Sequence, residues 1–334
     1  MPHVVIAPDK WRGSATAAEV AATIARAATA LGWSADAAPV SDGGEGFAAV
    51  LGGRPQLHRV HGPLGALVDA HWCLLDDGVT ASVEMALASG LDLAGGPDHN
   101  DPVRASTSGT GELIAAAIKA GIHQVLIGMG GSATTDGGWG ALEALEPHGR
   151  LAGIDLQVAC DVTTRFVDAA VVFSPQKGAS PSEVELLTRR LERLAQVYEE
   201  RFGIDVRPLE GSGAAGGLAG GLAALGATLA SGFDLVADRI DLAERIEGAD
   251  LVIAGEGLLD EESFHGKAVG GVVTLAAEAG VPVVILAGDA VGDWAARDRA
   301  VPYRTLVDAF GEERAWADPL GALGELVAEV LNAL

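Results

Sequence analysis

Short runs of apolar residues, rich in Val and Ile, alternate with helical stretches along this chain. The pattern predicts buried strands at residues 3–7, 124–129, 251–255 and 281–287. It predicts helices at residues 15–31, 109–120, 267–279 and 321–334. Parallel strands need long crossover connections, so this alternation indicates βαβ units and a mainly parallel sheet with helices on both faces.

Two regions interrupt the alternation. Between residues 57 and 86 apolar and polar residues alternate, and Asp76-Asp77-Gly78 has the composition of the turn in an antiparallel hairpin. From residue 150 to 238, strands are predicted near 156–160 and 169–173, followed by a long amphipathic helix. These regions predict a second α/β domain that contains antiparallel strands.

The length of 334 residues has room for about two domains. No Pro- or Ser-rich linker marks a boundary, so the division follows the pattern of elements. We expect a parallel-sheet domain of residues 1–50, 105–145 and 240–334, and an inserted second α/β domain of residues 51–104 and 146–239.

The charge balance excludes several classes of partner. With 22 Lys and Arg against 46 Asp and Glu, the net charge is −24, which repels nucleic acid and anionic membrane surfaces. Two cysteines provide no disulfide framework, and no basic, apolar leader opens the chain, so we expect a cytoplasmic protein that acts on a small molecule. The sequence leaves open whether the chain forms a homodimer.

Residues 213–233 form an uncharged, glycine- and alanine-rich run. The run is long enough to cross a bilayer but lacks basic or aromatic flanks, so we predict a buried helix. Gly213, Gly217 and Gly221 are four residues apart and predict a smooth helical face for close packing. The alternative is a dinucleotide fingerprint that begins at Gly211, although the preceding Pro208 is unfavourable in a strand.

The chain has 18 arginines but only four lysines, and three of these lysines fall in loops: Lys10, Lys177 and Lys267. A compact ammonium suits contact with a phosphate as a point charge. Lys10 follows the first predicted strand, and Arg12 and Ser14 come next, where a helix is expected to begin near Ser14. Open α/β sheets bind anions at such strand ends, although Ser14 could instead cap the helix.

Two further glycine-rich loops carry polar side chains. The loop Ser41–Gly46 places two acids among glycines, which predicts either Mg²⁺ or hydroxyl binding or an exposed turn. The loop of residues 128–138 follows a strand and resembles a phosphate-binding nest more closely than a dinucleotide fingerprint. The candidate ligand-binding residues of the two loops are Asp42, Gly43, Gly44, Glu45, Gly130, Gly131, Ser132, Thr134 and Asp136.

The fourth predicted loop combines acids with a lysine. Glu256 and Asp260 follow the strand at 251–255, and Lys267 opens the next helix. The strand-end loops of a parallel sheet line one crevice. This combination favours phosphoryl transfer, because carboxylates, lysines and glycine-rich loops occur together without a catalytic Cys or a Ser-x-Gly nucleophile elbow. The acids would bind Mg²⁺ and act on the attacking hydroxyl. A Walker A motif is absent, because Ala268 follows Gly266-Lys267.

The ordered motifs of the chain resemble the type I glycerate kinases from the first strand to about Asp289. The matching segments are APDKWRGS, SDGGEG, ASGL, TSGTGELI, GGSATTDGG, ACDVT, PQKGA, GAAGGLAGGL and GEGLLDEESFHGK. The resemblance implies a flavodoxin/Rossmann-like parallel-sheet domain, an inserted second α/β domain and an active site in the cleft between them. It also implies Mg²⁺- and ATP-dependent phosphorylation of D-glycerate, or a close hydroxy acid, to a phosphoglycerate.

We assign roles on this basis. Lys10 and Arg12 hold an anion, Asp42 or Asp161 binds Mg²⁺, and the loop 128–137 wraps the nucleotide phosphates. Asp260 or Glu256 takes the hydroxyl proton, and Lys267 neutralises charge in the transition state. Lys177, in the matching segment PQKGA, belongs to the substrate- and nucleotide-binding set.

The chain departs from the family pattern at several positions. Arg12 replaces a lysine, Thr135 an asparagine and Leu258 an arginine, and residues 164–166 lack the usual Asn-Pro. Two alternatives therefore stand beside the kinase. One is a weakly active or inactive paralogue that acts as a ligand-binding or regulatory protein. The other is a dinucleotide oxidoreductase, which depends on the glycine fingerprints alone.

Overall fold

The computed structural model describes residues 1–264, 267–292 and 301–333. The strands are β1 His3–Pro8, β2 Ser34–Ala37, β3 Arg54–His61, β4 Leu67–Leu74, β5 Thr80–Glu84, β6 Gln124–Gly128, β7 Asp155–Ala159, β8 Thr228–Ala230, β9 Leu251–Leu259, β10 Val283–Ala290 and β11 Tyr303–Thr305. The helices are α1 Ala17–Ala30, α2 Phe47–Leu51, α3 Ala86–Ser89, α4 Ser108–Lys119, α5 Trp139–Ala144, α6 Ala169–Phe173, α7 Pro181–Phe202, α8 Ala214–Ala224, α9 Gly232–Arg239, α10 Leu242–Glu247, α11 Ala268–Ala279, α12 Leu306–Phe310, α13 Glu312–Ala317 and α14 Pro319–Asn332.

The chain divides into two compact units. Unit 1 contains Met1–Asp42 and Phe233–Leu334, and unit 2 contains Gly43–Gly232. The sequence placed residues 105–145 with the parallel-sheet domain, whereas the structure places them in unit 2. The reason is strand pairing, since β6 lies within this segment and pairs with β5 and β7.

Unit 1 is built on an all-parallel sheet with the strand order β11-β10-β9-β1-β2. When only the strands of this unit are counted, the order is 2-1-3-4-5, the flavodoxin-like order. The direction of winding reverses between β1 and β9. Ligands of such sheets bind beyond the carboxyl ends of the strands at this reversal, so the topology marks one place for a site.

The central strands of unit 1 are apolar on both faces because helices cover both. Val5 and Ala7 of β1 pack in a core cluster with α11. Val4 and Ile6 point the other way and pack with α1 and α14. This double burial explains the uninterrupted apolar runs in the sequence.

Unit 2 is built on a six-stranded mixed sheet with the order β3-β4-β5-β6-β7-β8. Strands β3, β4 and β5 pair antiparallel, and β5 to β8 pair parallel. In the turn between β4 and β5, Asp77 accepts hydrogen bonds from the backbone N–H groups of Val79 and Thr80 at 2.9 Å each. The predicted hairpin and the predicted α/β fold class are therefore confirmed.

Residues 169–173 form helix α6, so the prediction of a strand there is wrong. The burial pattern shows why, because Ala169 and Ala170 are both buried while Val171 and Val172 are both exposed. Two consecutive buried residues fit one side of a helix, whereas a half-buried strand alternates. The β-branched composition of the segment suggested a strand, but packing decided otherwise.

The glycine-rich run of residues 213–233 is a buried helix only as far as Ala224, where α8 ends, and residues 228–230 form strand β8, so the prediction of one buried helix is wrong for the second part of the run. The first turn of α8 is also not α-helical. Ala215, Gly216 and Gly217 adopt left-handed backbone conformations inside α8. A Cβ on Gly216 would lie 2.0 Å from the carbonyl oxygen of Thr134, so the run packs against the loop 128–138 through its backbone. The smooth face expected from the four-residue spacing is therefore interrupted. Within the described residues, we find no helix with the length and apolar content needed to span a membrane.

We expect Gly216→Ala to destabilise the chain by about 3 kcal/mol, because it combines a left-handed conformation with a backbone clash. The matched control is Gly226→Ala, where φ is +94° but nothing lies within 4 Å of the added Cβ. The control should cost only about 1 kcal/mol. Urea unfolding of both variants measures the difference, and equal losses would contradict the close packing at Gly216.

Candidate active site

A cavity of about 410 Å³ opens at the carboxyl edge of the unit 1 sheet. Its walls are formed by the loop after β1, the ends of β9 and β10, and helices α11 to α14. We call it the carboxyl-edge cavity, and its lining residues are Asp9, Lys10, Trp11, Arg12, Ser14, Asp42, Glu256, Gly257, Leu258, Asp260, Lys267, Ala268, Val269, Gly288, Asp289, Val307, Ala315, Trp316 and Pro319. The cavity therefore lies where the flavodoxin-like strand order predicts a ligand.

The loop after β1 forms its own tight turn before α1 begins. Trp11 accepts backbone hydrogen bonds from Ser14 and Ala15 at 2.8 and 2.9 Å. Helix α1 then starts at Ala17, with Thr16 as its N-cap in a capping box with Glu19. The prediction of a helix start near Ser14 is therefore wrong by three residues. Ser14 is not the N-cap, and its side chain remains exposed at the cavity.

Lys10 lies between two carboxylates. Its Nζ is 3.2 Å from Asp42 Oδ1 and 3.6 Å from Asp9 Oδ2. Burial lowers the pKa of Lys10, but the two carboxylates outweigh it and raise the net value. Burial raises the pKa of Asp9 to about 6, although the Lys10 ammonium opposes the shift. One ammonium thus stabilises two partly buried acids, and Asp9 is a site residue that the sequence analysis missed.

Glu256 belongs to β9, which is longer than predicted. The strand continues to Leu259 because Glu256 and Leu258 pair with Ala287 and Asp289 of β10. Burial raises the pKa of Glu256 to about 7, against the opposing effects of Ser263 and Lys267. Its Oε1 is buried without a hydrogen-bond partner among the described residues. A rigid strand therefore presents a carboxyl group that changes protonation near neutral pH.

Asp260 and Lys267 lie close to the same wall of the cavity. Asp260 accepts hydrogen bonds from the backbone N–H and the hydroxyl of Ser263 at 3.0 and 3.2 Å. Lys267 is the N-cap residue of α11 and pairs with Glu262 at 3.2 Å. The N-terminus of a twelve-residue helix thus faces the cavity beside a lysine, which favours an anion there. His265 and Gly266, part of the matching motif, lie outside the described residues.

In unit 2, the glycine-rich segment from Gly43 packs tightly on the loop after β6. The Gly43 carbonyl accepts a hydrogen bond from Met129 at 2.9 Å. A Cβ on Gly130 would lie 2.5 Å from Gly44 Cα. The glycines of the two predicted loops are therefore needed for close contact between the loops themselves.

Lys177 is 3% exposed and lies beneath the loop 128–138. Its Nζ donates to Ser132 Oγ and to the Thr134 carbonyl, both at 2.7 Å. Burial lowers the pKa of Lys177 to about 7, although the negative charge of Asp136 opposes the shift. The lysine therefore stabilises the loop from the protein interior. When protonated, its buried ammonium is available to pair with a negative charge.

The carboxylate of Asp136 is occupied by hydrogen bonds within unit 2. It accepts hydrogen bonds from the backbone and hydroxyl of Thr107 and from the backbone of Gly138 and Gly140. These bonds join the starts of α4 and α5, so the structure gives Asp136 a structural task rather than an open ligand position.

The structure sorts the predicted site residues into two groups. Unit 1 brings together Lys10, Arg12, Ser14, Asp42, Glu256, Asp260 and Lys267 around the carboxyl-edge cavity. Unit 2 contains Gly43, Gly44, Glu45, Gly130, Gly131, Ser132, Thr134, Asp136, Asp161 and Lys177. Glu45 and Asp161 are exposed, and in the described part of the chain no group of three or more His, Cys, Asp or Glu side chains is arranged to hold a metal ion.

Sequence reasoning missed Asp9, Asp289 and Trp316, all of which line the cavity. Asp9 precedes Lys10 in the motif and could have been included from its position alone. Trp316 carries no comparable signal, because α13 brings it to the cavity from the far end of the chain.

Comparison with known proteins decides the family. The model of the glycerate kinase family matches residues 4–148 and 146–331. The chain belongs to the glycerate kinase family. Family membership makes it a kinase, that is, a transferase of phosphoryl groups, and this confirms the resemblance found in the motifs.

Individual relatives agree with the family assignment. Glycerate 2-kinase of Escherichia coli K12 is 38% identical over 328 residues, covering 87% of this chain and 86% of that protein. Glycerate kinase of Bacillus subtilis 168 is 37% identical over 367 residues, covering 98% and 94%. A crystal structure of a Salmonella typhimurium LT2 protein assigned as glycerate kinase 2 has a TM-score of 0.83 at 34% identity, covering 99% and 98%.

We expect Glu256→Gln to change how stability depends on pH. The pKa of Glu256 rises from 4.5 in the unfolded chain to about 7 in the folded one. The folded state thus binds more protons in this window, and the stability contributed by the protonated acid is lost as the pH rises through it. At pH 8 the variant should exceed the wild type by up to about 3 kcal/mol, and near pH 4.5 the two should coincide. Urea unfolding at both pH values tests this, and an equal difference at both would contradict a raised pKa.

Proposed function

We propose that the chain uses ATP to phosphorylate D-glycerate, or a close hydroxy acid, to a phosphoglycerate. One observation carries the proposal most strongly: the buried carboxyl group of Glu256, whose Oε1 has no hydrogen-bond partner among the described residues, lies in the same cavity as Lys10 and Lys267. Transfer to a hydroxyl needs a proton acceptor and positive charge in one place, and this cavity contains both.

Glu256 is the proposed general base. A base works best when its pKa is near the working pH, and the pKa of Glu256 is raised to about 7. Asp260 is a weaker candidate because its carboxylate already accepts two hydrogen bonds from Ser263. We therefore assign Asp260 to positioning of the segment that leads to Lys267.

Positive charge in the cavity is proposed to bind the anionic groups. Lys10 is partly buried, while Arg12 is exposed, so the two offer a partly desolvated and a solvated cation to the cavity. Lys267 and the N-terminus of α11 add a further anion site. Lys267 is proposed to balance the charge that develops on the transferred phosphoryl group.

Mg²⁺ fits the oxygen ligands of the same cavity. Asp42 and Asp9 both contact Lys10 and present the hard oxygen donors that Mg²⁺ prefers. Mg²⁺ in kinases takes one or two carboxylates together with substrate phosphates, so a cage of three protein acids is not needed. When bound, the ion would neutralise phosphate charge. Asp161, exposed in unit 2, remains a second proposed ligand.

The loop 128–138 of unit 2 is proposed to bind a phosphate or carboxylate group. Gly131 has φ +70°, and Gly130 to Ser132 supply consecutive backbone N–H groups of the kind that form anion nests. Lys177, held against Ser132 and Thr134, supplies positive charge beneath the loop.

An inactive, ligand-binding relative of these enzymes is the second candidate. Leu258 favours it, because an apolar side chain with 47% exposure lines the cavity where the resemblance expects arginine. Arg12 lines the same cavity and keeps one guanidinium there. For this reason we place the active enzyme first.

The deciding experiment measures ADP release with Mg²⁺-ATP and a panel of hydroxy acids that includes D-glycerate. Proton-coupled ³¹P NMR of the product then identifies the phosphorylated hydroxyl. A phosphate on the secondary oxygen couples to one carbon-bound proton, and one on the primary oxygen couples to two. ATP binding without ADP release on any acid would favour the inactive relative.

We expect Glu256→Gln to lower kcat by about 10²–10⁴-fold, because the amide cannot accept the proton. In the wild type, kcat/KM should rise with pH and flatten above about 7, following the pKa of Glu256. The control is Glu278→Gln, an exposed acid on α11 outside the cavity. Steady-state kinetics from pH 5 to 9 tests the assignment, and an unchanged kcat in Glu256→Gln would exclude Glu256 as the base.

A further inference from the structure

Trp316 exposes 65% of its surface at the carboxyl-edge cavity. A tryptophan offers a large flat apolar area, and leaving it in water forgoes much of the stabilisation that its burial provides. Its neighbours in the cavity wall are Val307, Ala315 and Pro319, whose side chains are also apolar. This wall contrasts with the charged wall formed by the loop after β1 and the start of α11.

Helix α13 holds Trp316 in a fixed place. Arg314, two residues earlier, pairs with Glu325 of α14, and its guanidinium lies 4.7 Å from the ring centroid of Phe310 in α12. Asp318, two residues later, caps α14 through the backbone N–H of Gly321 at 3.1 Å. The exposed ring therefore sits between two anchored positions, as a binding platform requires.

The two walls are separated along the sheet. Helix α12 follows β11, which is three strands from β1 in the order β11-β10-β9-β1. At ~4.8 Å per strand this separation is roughly 14 Å. A three-carbon acid cannot contact both walls, whereas a nucleotide, with a ring at one end and phosphates at the other, can. The cavity volume of about 410 Å³ also falls in the range that takes ligands larger than glycerate.

We propose that Trp316 stacks on the purine ring of the nucleotide, with the phosphates directed toward Lys10 and the N-terminus of α11. This inference rests on the proposed use of ATP and names its base-binding residue. Val307, Ala315 and Pro319 complete the apolar contact, and the base lies on the Trp316 indole. Stacking of a base on an aromatic side chain typically changes affinity by about ten- to a hundredfold.

The test is calorimetric titration of the full chain with Mg²⁺-ADP and with adenosine, which needs no turnover. Trp316→Ala should weaken both ligands about ten- to a hundredfold, and Trp316→Phe should recover most of the loss. Binding of Mg²⁺-ADP should also quench tryptophan fluorescence in the wild type and in the control Trp33→Phe, and the quench should be clearly smaller in Trp316→Phe, in which Trp11 still lines the cavity. Trp33 lies in unit 1 and does not line the cavity. The thermal midpoint of each variant confirms that it is folded.

The outcomes separate this inference from the proposed function. Unchanged affinity for Mg²⁺-ADP and adenosine in Trp316→Ala would overturn the inference even if D-glycerate is phosphorylated. Weakened nucleotide binding without phosphorylation of any acid would support the inference and defeat the proposed function. A changed oligomeric state with unchanged nucleotide affinity would show that Trp316 contacts a second copy of the chain, which also overturns the inference.

Discussion

The contact of Lys10 with Asp9 and Asp42 is the interaction on which the unit 1 site depends. Placing two carboxylates at the partly buried end of a sheet is unfavourable unless a positive charge offsets them. The ammonium of Lys10, 3.6 Å from Asp9 and 3.2 Å from Asp42, provides that charge. The offset is incomplete, since burial still raises the pKa of Asp9 to about 6. The site therefore holds groups that exchange protons near neutral pH.

The fold places these groups together for a topological reason. The all-parallel sheet of unit 1 reverses its winding between β1 and β9, so the loops after these strands diverge and leave a cavity. Glu256 is fixed by strand pairing rather than by a loop, and this explains how a carboxyl group with one oxygen lacking a hydrogen-bond partner among the described residues can be held in place. In unit 2, the buried Lys177 stabilises the loop 128–138 by donating hydrogen bonds to Ser132 Oγ and to the Thr134 carbonyl.

Much of this arrangement was predictable from the sequence, because strand ends in parallel sheets carry recognisable loops. The positions of Lys10, Glu256 and Lys267 at one edge followed from two apolar runs, at residues 3–7 and 251–255, and the residues after them. Asp136 was predicted as a ligand-binding residue, but two of its four internal hydrogen bonds depend on the approach of Thr107, 29 positions away. Trp316 was missed because its place in the cavity is set by α12 to α14 packing at the sheet edge.

One departure from the family pattern has a structural explanation that the sequence did not reveal. Phe166, in the segment that lacks the usual Asn-Pro, is fully buried. A Cβ on Gly220 would lie 2.3 Å from its ring, so the aromatic ring fills the space that the glycine of α8 leaves. The departure at this position therefore contributes to the core of unit 2. Leu258 differs, because it lines the cavity itself.

A crystal structure of the chain with Mg²⁺-ADP tests directly whether the carboxyl-edge cavity binds the nucleotide. We expect the nucleotide in the carboxyl-edge cavity, with its phosphates near Lys10 and the N-terminus of α11. A nucleotide bound only by residues of unit 2, with the carboxyl-edge cavity empty, would contradict this expectation.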